Sequence, residues 1–145
     1  MKSYSSGYSD MEELKLILIV GPTASGKTAA SIYAAIKLNG EIVSADSIQV
    51  YKGMDIGSAK PTMQERQGIP HHLMDAIDIN SPKFSVAEFR KMAGEAIEDI
   101  AGRGKQPIVV GGTGLYINSL VFPLNFTEVQ SDEKLRSELS EIEER

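Results

Sequence analysis

The chain has 145 residues, 41% hydrophobic and 24% charged, with no cysteine, which is material for one globular domain whose core needs no disulfide and no thiolate metal site. Its longest aliphatic run, Leu16 to Val20, is far short of the ~20 apolar residues of a membrane span, and no charged segment with a cleavage site precedes it, so the reading is a cytosolic protein with no membrane partner. The net charge of -5 is concentrated in residues 128–145, which hold seven acidic and three basic side chains, leaving 12 basic against 13 acidic elsewhere; so even a balance is not the basic stripe of a protein that grips nucleic acid by its backbone.

Residues 1–13 begin with a Ser-rich, aperiodic stretch and are expected to form a flexible tail. Leu14 to Val20 is short, aliphatic and closed by Gly21-Pro22, the pattern of a strand buried on both faces of a parallel sheet. An Ala-rich helix is predicted over Lys27 to Leu38, with Asn39-Gly40 as its left-handed cap, followed by a strand over Glu41 to Ser44. Met54 to Pro82 carries three prolines and no sustained period, and reads as a loop-rich excursion with a short strand near Leu73 to Ile77. Ser85-Val86-Ala87-Glu88 is a capping box opening a helix whose apolar stripe is Val86, Phe89, Ala93, Ala96, Ile97 and Ile100, stopped by Gly102 and Gly104. Pro107 to Val110 is a further buried strand, ended by Gly111-Gly112. The segment Ser131 to Arg145 predicts a charged helix with Leu135, Leu139 and Ile142 along one face. Strands and helices alternating at this spacing predict an α/β fold built of βαβ units.

Gly21-Pro22-Thr23-Ala24-Ser25-Gly26-Lys27-Thr28 matches G-x-x-x-x-G-K-[ST] after a predicted strand and at the head of a predicted helix. Glycines allow the backbone to curl so that successive N–H groups point inward, and the helix N-terminus adds about half a positive charge. Phosphate oxygens fit such a cup, with Lys27 on the terminal phosphate and the Thr28 hydroxyl as a ligand for Mg²⁺. The cup alone does not name a reaction. Many proteins with it carry an acid at the end of another buried strand, yet Val109-Val110-Gly111-Gly112-Thr113 supplies none. A carboxylate instead follows the second strand, in Ser44-Ala45-Asp46-Ser47-Ile48-Gln49-Val50-Tyr51; the carboxyl end of that strand lies on the cup's edge of a parallel sheet, so Asp46 can face the cup, although an Asp before Ser47 also suits a helix cap.

The blocks GPTASGKT (21–28), SADSIQVYKGMDIGSAKPT (44–62), PHHLMD (70–75), FSVAEFR (84–90) and GGTGLY (111–116) together resemble the tRNA dimethylallyltransferase, or tRNA isopentenyltransferase, family, in its order and spacing. The adenylate isopentenyltransferases share several of these blocks. The resemblance implies a P-loop NTPase-like parallel sheet flanked by helices, incomplete here because family members are about twice this long. On that reading residues 14–127 form the prenyl-donor-binding core and 128–145 begin an inserted helical region. It implies a cytoplasmic enzyme, monomeric at full length, that moves the dimethylallyl group of dimethylallyl pyrophosphate to N6 of an adenosine beside the tRNA anticodon and releases pyrophosphate, with Mg²⁺ as cofactor. Gly21, Pro22, Thr23, Ala24, Ser25, Gly26, Lys27 and Thr28 would hold the donor, Asp46 would be the catalytic base, Ser47, Ile48 and Gln49 would touch the target nucleotide, and Thr113 would place the adenosine or the leaving phosphate. Ile48 departs from the family's more usual Met or Arg. For the isolated chain the expectation is weak tRNA binding and little turnover. Two other readings stay open: a P-loop kinase of small molecules with Asp46 as base, and a non-catalytic phosphate-binding fragment.

Two further pairs of residues have plainer readings. Adjacent His71 and His72 on an extended segment point to opposite faces, as structural residues do more often than ligands. Tyr51 and Tyr116 suit either stacking on a base or packing beside a loop.

Overall fold

The computed structural model describes residues 15–81 and 84–122; the expected tail at 1–13 and the amphipathic helix expected over Ser131 to Arg145 lie outside them. In chain order the elements are β1 (Ile17–Val20), α1 (Lys27–Leu38), β2 (Gly40–Ser44), α2 (Met63–Arg66), β3 (His71–His72), α3 (Val86–Gly102), β4 (Gln106–Gly111) and α4 (Gly114–Val121). The strands form one parallel sheet in the order β1-β4-β2-β3. Among the described residues no helix is long and apolar enough to cross a membrane.

Alternation along the two inner strands decides which helix covers which face. Ile42 and Ile108 pack with Ile32 and Ala35 of α1, while their neighbours Val43 and Val109 pack with Phe89, Ala93, Ile97 and Ile100 of α3 and Tyr116 of α4. The helices therefore lie on opposite faces of a sheet whose β2 residues are all buried. The predicted α1 has the expected limits, and Asn39 at φ 50° is its left-handed cap, so Gly40 is free to begin the strand. Ser85 and Glu88 form the expected reciprocal cap of α3, with Ser85 Oγ accepting from Glu88 N and Glu88 Oε2 accepting from Ser85 N.

Three expectations are corrected. The first strand is not buried on both faces: β1 pairs only with β4 among the described residues, and Leu18 and Val20 are exposed. The short strand near Leu73 to Ile77 falls instead at His71–His72, because Leu73 (φ 58°) and Asp75 (φ 55°) are left-handed and cannot continue a strand, although Ile77 makes a parallel bridge to Tyr51. Helix α2 lies within the segment read as loop-rich, and α4 follows β4 where the sequence reading assigned no element. Thr62 and Glu65 cap α2 by the same reciprocal device that opens α3.

At the N-terminal edge of the sheet, Glu41 is buried and carries four short contacts. Its Oε1 accepts from Arg103 Nη1 and Lys105 Nζ, and its Oε2 accepts from Arg103 Nη2 and His72 Nε2, all at 2.7–2.8 Å. This one carboxylate ties β2 to β3, to the residue after α3 and to the entrance of β4. The Arg103 guanidinium, helped by Lys105 and His72 and opposed by burial, holds its carboxyl well below the usual range. The neighbouring His71 is shifted down chiefly by burial, assisted by the charges of Arg66 and His72 and opposed by its Nδ1–H bond to the Ile69 carbonyl.

Both shifts carry the same sign for folding. A depressed carboxyl stabilises the fold above its unfolded pKa, and a depressed histidine binds its proton less readily folded than unfolded, so stability falls with falling pH in each case. Melting temperature is therefore expected to be flat between about pH 7 and 10, to decline as pH drops through about 6.5, and to decline again below about 4.5. In a pH series of thermal melts, Glu41→Gln is expected to lose about 2 kcal/mol at neutral pH and to flatten the lower step. A second expectation comes from Gly111, where an added Cβ would overlap the Ala45 carbonyl group, both backbone atoms. Gly111→Ala should destabilise the chain by about 3 kcal/mol, measured in the same melts.

Candidate phosphate-binding site and its carboxylate

Three strand ends converge on one spot, and glycine is the reason they can. A Cβ on Gly112 would stand 3.2 Å from the Gly21 carbonyl, and Gly111 leaves no room for one beside Ala45, so the chain after β4 wedges between the turns that follow β1 and β2. Backbone bonds close the junction. Ala45 N donates to Val110 O at 2.7 Å, and Thr113 N to Ala45 O at 3.4 Å.

The turn after β1 has the shape its sequence requires. Ala24 (φ 61°) and Gly26 (φ 82°) are left-handed, and Gly26 occupies the N-cap of α1 without any side-chain bond to the first helical amides. The helix dipole and its first N–H groups are thus presented to whatever occupies the turn. Lys27 Nζ lies back on the loop, donating to the Pro22 carbonyl and standing 3.5 Å from Ser25 Oγ.

A cavity of about 650 Å³ opens at this edge, lined by Thr23, Ala24, Ser25, Gly26, Lys27 and Thr28 together with Asp46, Ile48 and Gln49. The carboxylate expected to face the cup thus shares a cavity with it. Asp46 also performs the capping role that its position allowed: Oδ1 accepts from Ile48 N (2.9 Å) and Gln49 N (3.2 Å). Oδ2 carries no bond to the described residues, so one oxygen fixes the turn while the other keeps its acceptor capacity. Gln49 is committed to the scaffold, its Oε1 accepting from Ser44 Oγ and its Nε2 donating to the carbonyls of Ser58 and Ala59.

Four of the predicted site residues stand outside the cavity lining: Gly21, Pro22, Ser47 and Thr113. Ser47 and Thr113 are joined to each other. Thr113 Oγ1 accepts from Ser47 N at 3.1 Å and donates to Ser47 Oγ at 3.4 Å, so the threonine holds the Asp46 turn from behind. Tyr116 is stacked on Phe89 in the core, with ring centroids 4.1 Å apart, and Tyr51 Oη accepts from Phe84 N; both pack. His71 and His72 are bonded to Ile69 O and Glu41, and among the described residues no three His, Cys, Asp or Glu converge to hold a metal. Oxygen-bearing side chains in the lining include the Thr28 hydroxyl beside the phosphate-type turn and the carboxylates of Asp46 and Glu65, donors of the kind that suit Mg²⁺, which keeps most of its waters and shares phosphate oxygens with a ligand.

The cavity also has walls absent from the sequence reading. Ile32, Tyr33 and Ile36 of α1 form an apolar side, and Gly57, Ser58 and Ala59 a second, with Glu65 and Gln67 beyond them. A signal for the first existed, since Tyr33 and Ile36 are apolar positions outside the core stripe of α1 and remain about half exposed or more. The second wall depends on Gly57 (φ 75°) and Ala59 (φ 51°), and only a glycine hints at it in sequence.

A family model described as IPP transferase matches residues 49–145. The chain is 54% identical over 134 residues to the tRNA dimethylallyltransferase of Exiguobacterium sp. (strain ATCC BAA-1283 / AT1b), covering 92% of this chain and 43% of that protein. It is 51% identical over 129 residues to the tRNA dimethylallyltransferase of Thermoanaerobacter sp. (strain X514), covering 89% and 41%. Among solved structures it resembles the full-length tRNA isopentenylpyrophosphate transferase of Bacillus halodurans, with a TM-score of 0.77 at 49% identity over 90% of this chain and 43% of that one. The chain thus spans about two fifths of the length of these relatives. Its matched residues, its parallel sheet and its phosphate-type turn agree, and the chain belongs to the IPP transferase family.

Proposed function

We propose that this chain carries the donor site and the base of a tRNA dimethylallyltransferase. The observation that supports the reading is the placement of Asp46 in the same cavity as the Thr23 to Thr28 turn. In this reaction the bond between the dimethylallyl C1 and the pyrophosphate oxygen breaks, its electron pair leaves with pyrophosphate, and the lone pair of adenosine N6 forms the new C–N bond. Negative charge grows on the leaving oxygen. Inward N–H groups, the α1 dipole and Lys27 oppose that charge, so they stabilise the transition state more than the bound donor. Thr28 would hold Mg²⁺, which would supply further charge neutralisation to the pyrophosphate.

The acceptor amine is a poor nucleophile because its lone pair is delocalised into the ring. Asp46 answers this by accepting the N6 proton as the bond forms, a contribution of about 10²- to 10⁴-fold. Its Oδ1 is anchored by two backbone amides, so the proton goes to Oδ2 without loss of the turn. Ile48, half exposed on the same turn, offers an apolar surface to the target nucleotide. Thr113 holds Ser47, and Gln49 holds the Ser58–Ala59 wall, so both act through the scaffold. The adenine must leave its stack in the anticodon loop to reach this cavity.

Calorimetric titration with dimethylallyl pyrophosphate and Mg²⁺ tests the donor half: Lys27→Ala should lose about 1 to 3 kcal/mol of binding, and Asp46→Asn should bind within about twofold of the native chain. Once the region by which the relatives exceed this chain is supplied, Asp46→Asn should transfer the group to a tRNA anticodon stem-loop about 10²-fold more slowly. Unchanged affinity in Lys27→Ala removes the cup from the account, and an unchanged rate in Asp46→Asn removes the base.

A further inference from the structure

Eleven residues beyond the turn at 46–49, the Lys60 side chain is buried in a region where the chain carries no element of regular structure. Its side chain is only 5% exposed. An ammonium has three N–H donors, and all three are used: Nζ donates to Asp75 Oδ1 at 2.6 Å, to Tyr51 O at 2.7 Å and to Asp55 Oδ1 at 3.2 Å. Asp75 in turn lies 3.8 Å from Arg66 Nη2 through its other oxygen. Burial opposes the charge, but the two carboxylates outweigh it and hold the ammonium's pKa above the ordinary lysine value.

The ammonium is the first link of a path to the base. Asp75, fixed by Lys60, donates its backbone N–H to Gln49 O at 3.0 Å, and the next residue, Ala76, donates to Val50 O at 2.8 Å. Gln49 N donates to Asp46 Oδ1, and Gln49 Nε2 donates to the carbonyls of Ser58 and Ala59, the residues just before Lys60. Gln49 is therefore gripped on its carbonyl by the Asp75 strap and on its side chain by the segment that ends in Lys60. Neither Asp75 nor Lys60 touches the cavity.

We infer that Lys60 is a positioning residue for Asp46: by clamping Asp75, Asp55 and the Tyr51 carbonyl onto one ammonium it fixes Gln49, and through the Gln49 amide it sets the direction in which the Asp46 carboxylate meets the cavity. The inference deepens the proposed function, since it gives the base its orientation. A ligand confined to the phosphate turn has no contact with this path, whereas the two amides on Asp46 Oδ1 are its end point. Loss of the ammonium thus acts on the turn at 46–49 and leaves the cup intact.

Amide hydrogen exchange followed by NMR on the native chain, Lys60→Met and Asp75→Asn reads that end point directly, alongside calorimetric titration with inorganic pyrophosphate and Mg²⁺. In Lys60→Met the Ile48 and Gln49 amides should exchange about 10-fold faster, those of α1 and α3 should be unchanged, and pyrophosphate should bind within about twofold of native. Asp75→Asn keeps the backbone donor and the chain's packing, and should show the same change to a smaller degree; it decides the matter if Lys60→Met does not fold. Exchange at Ile48 and Gln49 within about twofold of native in the folded variants, or acceleration shared equally by α1 and α3, overturns the inference. Failure of the native chain to bind pyrophosphate overturns the donor-site reading instead, and the exchange rates still decide the role of Lys60.

Discussion

Close backbone approach at the end of β4 is the constraint on which the rest depends. The phosphate turn follows β1 and the carboxylate follows β2, yet β1 and β2 are not neighbours; β4 lies between them. Only because β4 ends in Gly111 and Gly112 can the turns on either side close over it, with Ala45 against one glycine and Gly21 against the other. A side chain at 111 would push the Asp46 turn away from Thr23 to Thr28. The cavity that joins cup and carboxylate is in this sense a product of two absent β-carbons.

Stability and the proposed chemistry fall at opposite edges of the sheet. At the N-terminal edge the buried Glu41 gathers the partly exposed Arg103, Lys105 and His72 into a fully bonded knot. At the C-terminal edge the groups are left partly unsatisfied: the first amides of α1 carry no side-chain cap, and Asp46 keeps one oxygen without a partner among the described residues. Free hydrogen-bonding capacity on a rigid edge is what a site for a charged ligand needs, and the lower knot supplies rigidity at a distance from the chemistry. Lys60 is an intermediate case, a saturated knot placed within reach of the site so that its order is passed on.

What was legible in the sequence was what is local. Helix α1 with its Asn39 cap and α3 with its Ser85–Glu88 box are each specified within a few residues, and the structure contains them as read; the turn before α1 takes the left-handed backbone at Ala24 and Gly26. The box at Thr62 and Glu65 is the same signal, but with a single turn and no apolar run after it the segment does not stand out. Helix α4 lacks a sequence signature for a different reason: Thr113, the natural N-cap, gives its hydroxyl to Ser47 across the fold, a contact 66 residues apart in the chain. The exposed position of β1 and the stop of β3 at His72 were equally illegible, since sheet order and the left-handed turns at Leu73 and Asp75 depend on long-range packing. For Asp46 the sequence left two roles open, capping or facing the cup. The structure shows the first in its bonds and places the residue where the second is possible.

Ligand preference tests the proposed donor site most directly, because a turn of this sequence type suits nucleotides and prenyl pyrophosphates alike. Dimethylallyl pyrophosphate and ATP should be titrated separately into the chain by calorimetry, each with Mg²⁺. Tighter binding of the prenyl pyrophosphate is the predicted result. Tighter binding of ATP, or binding of neither, would contradict the account.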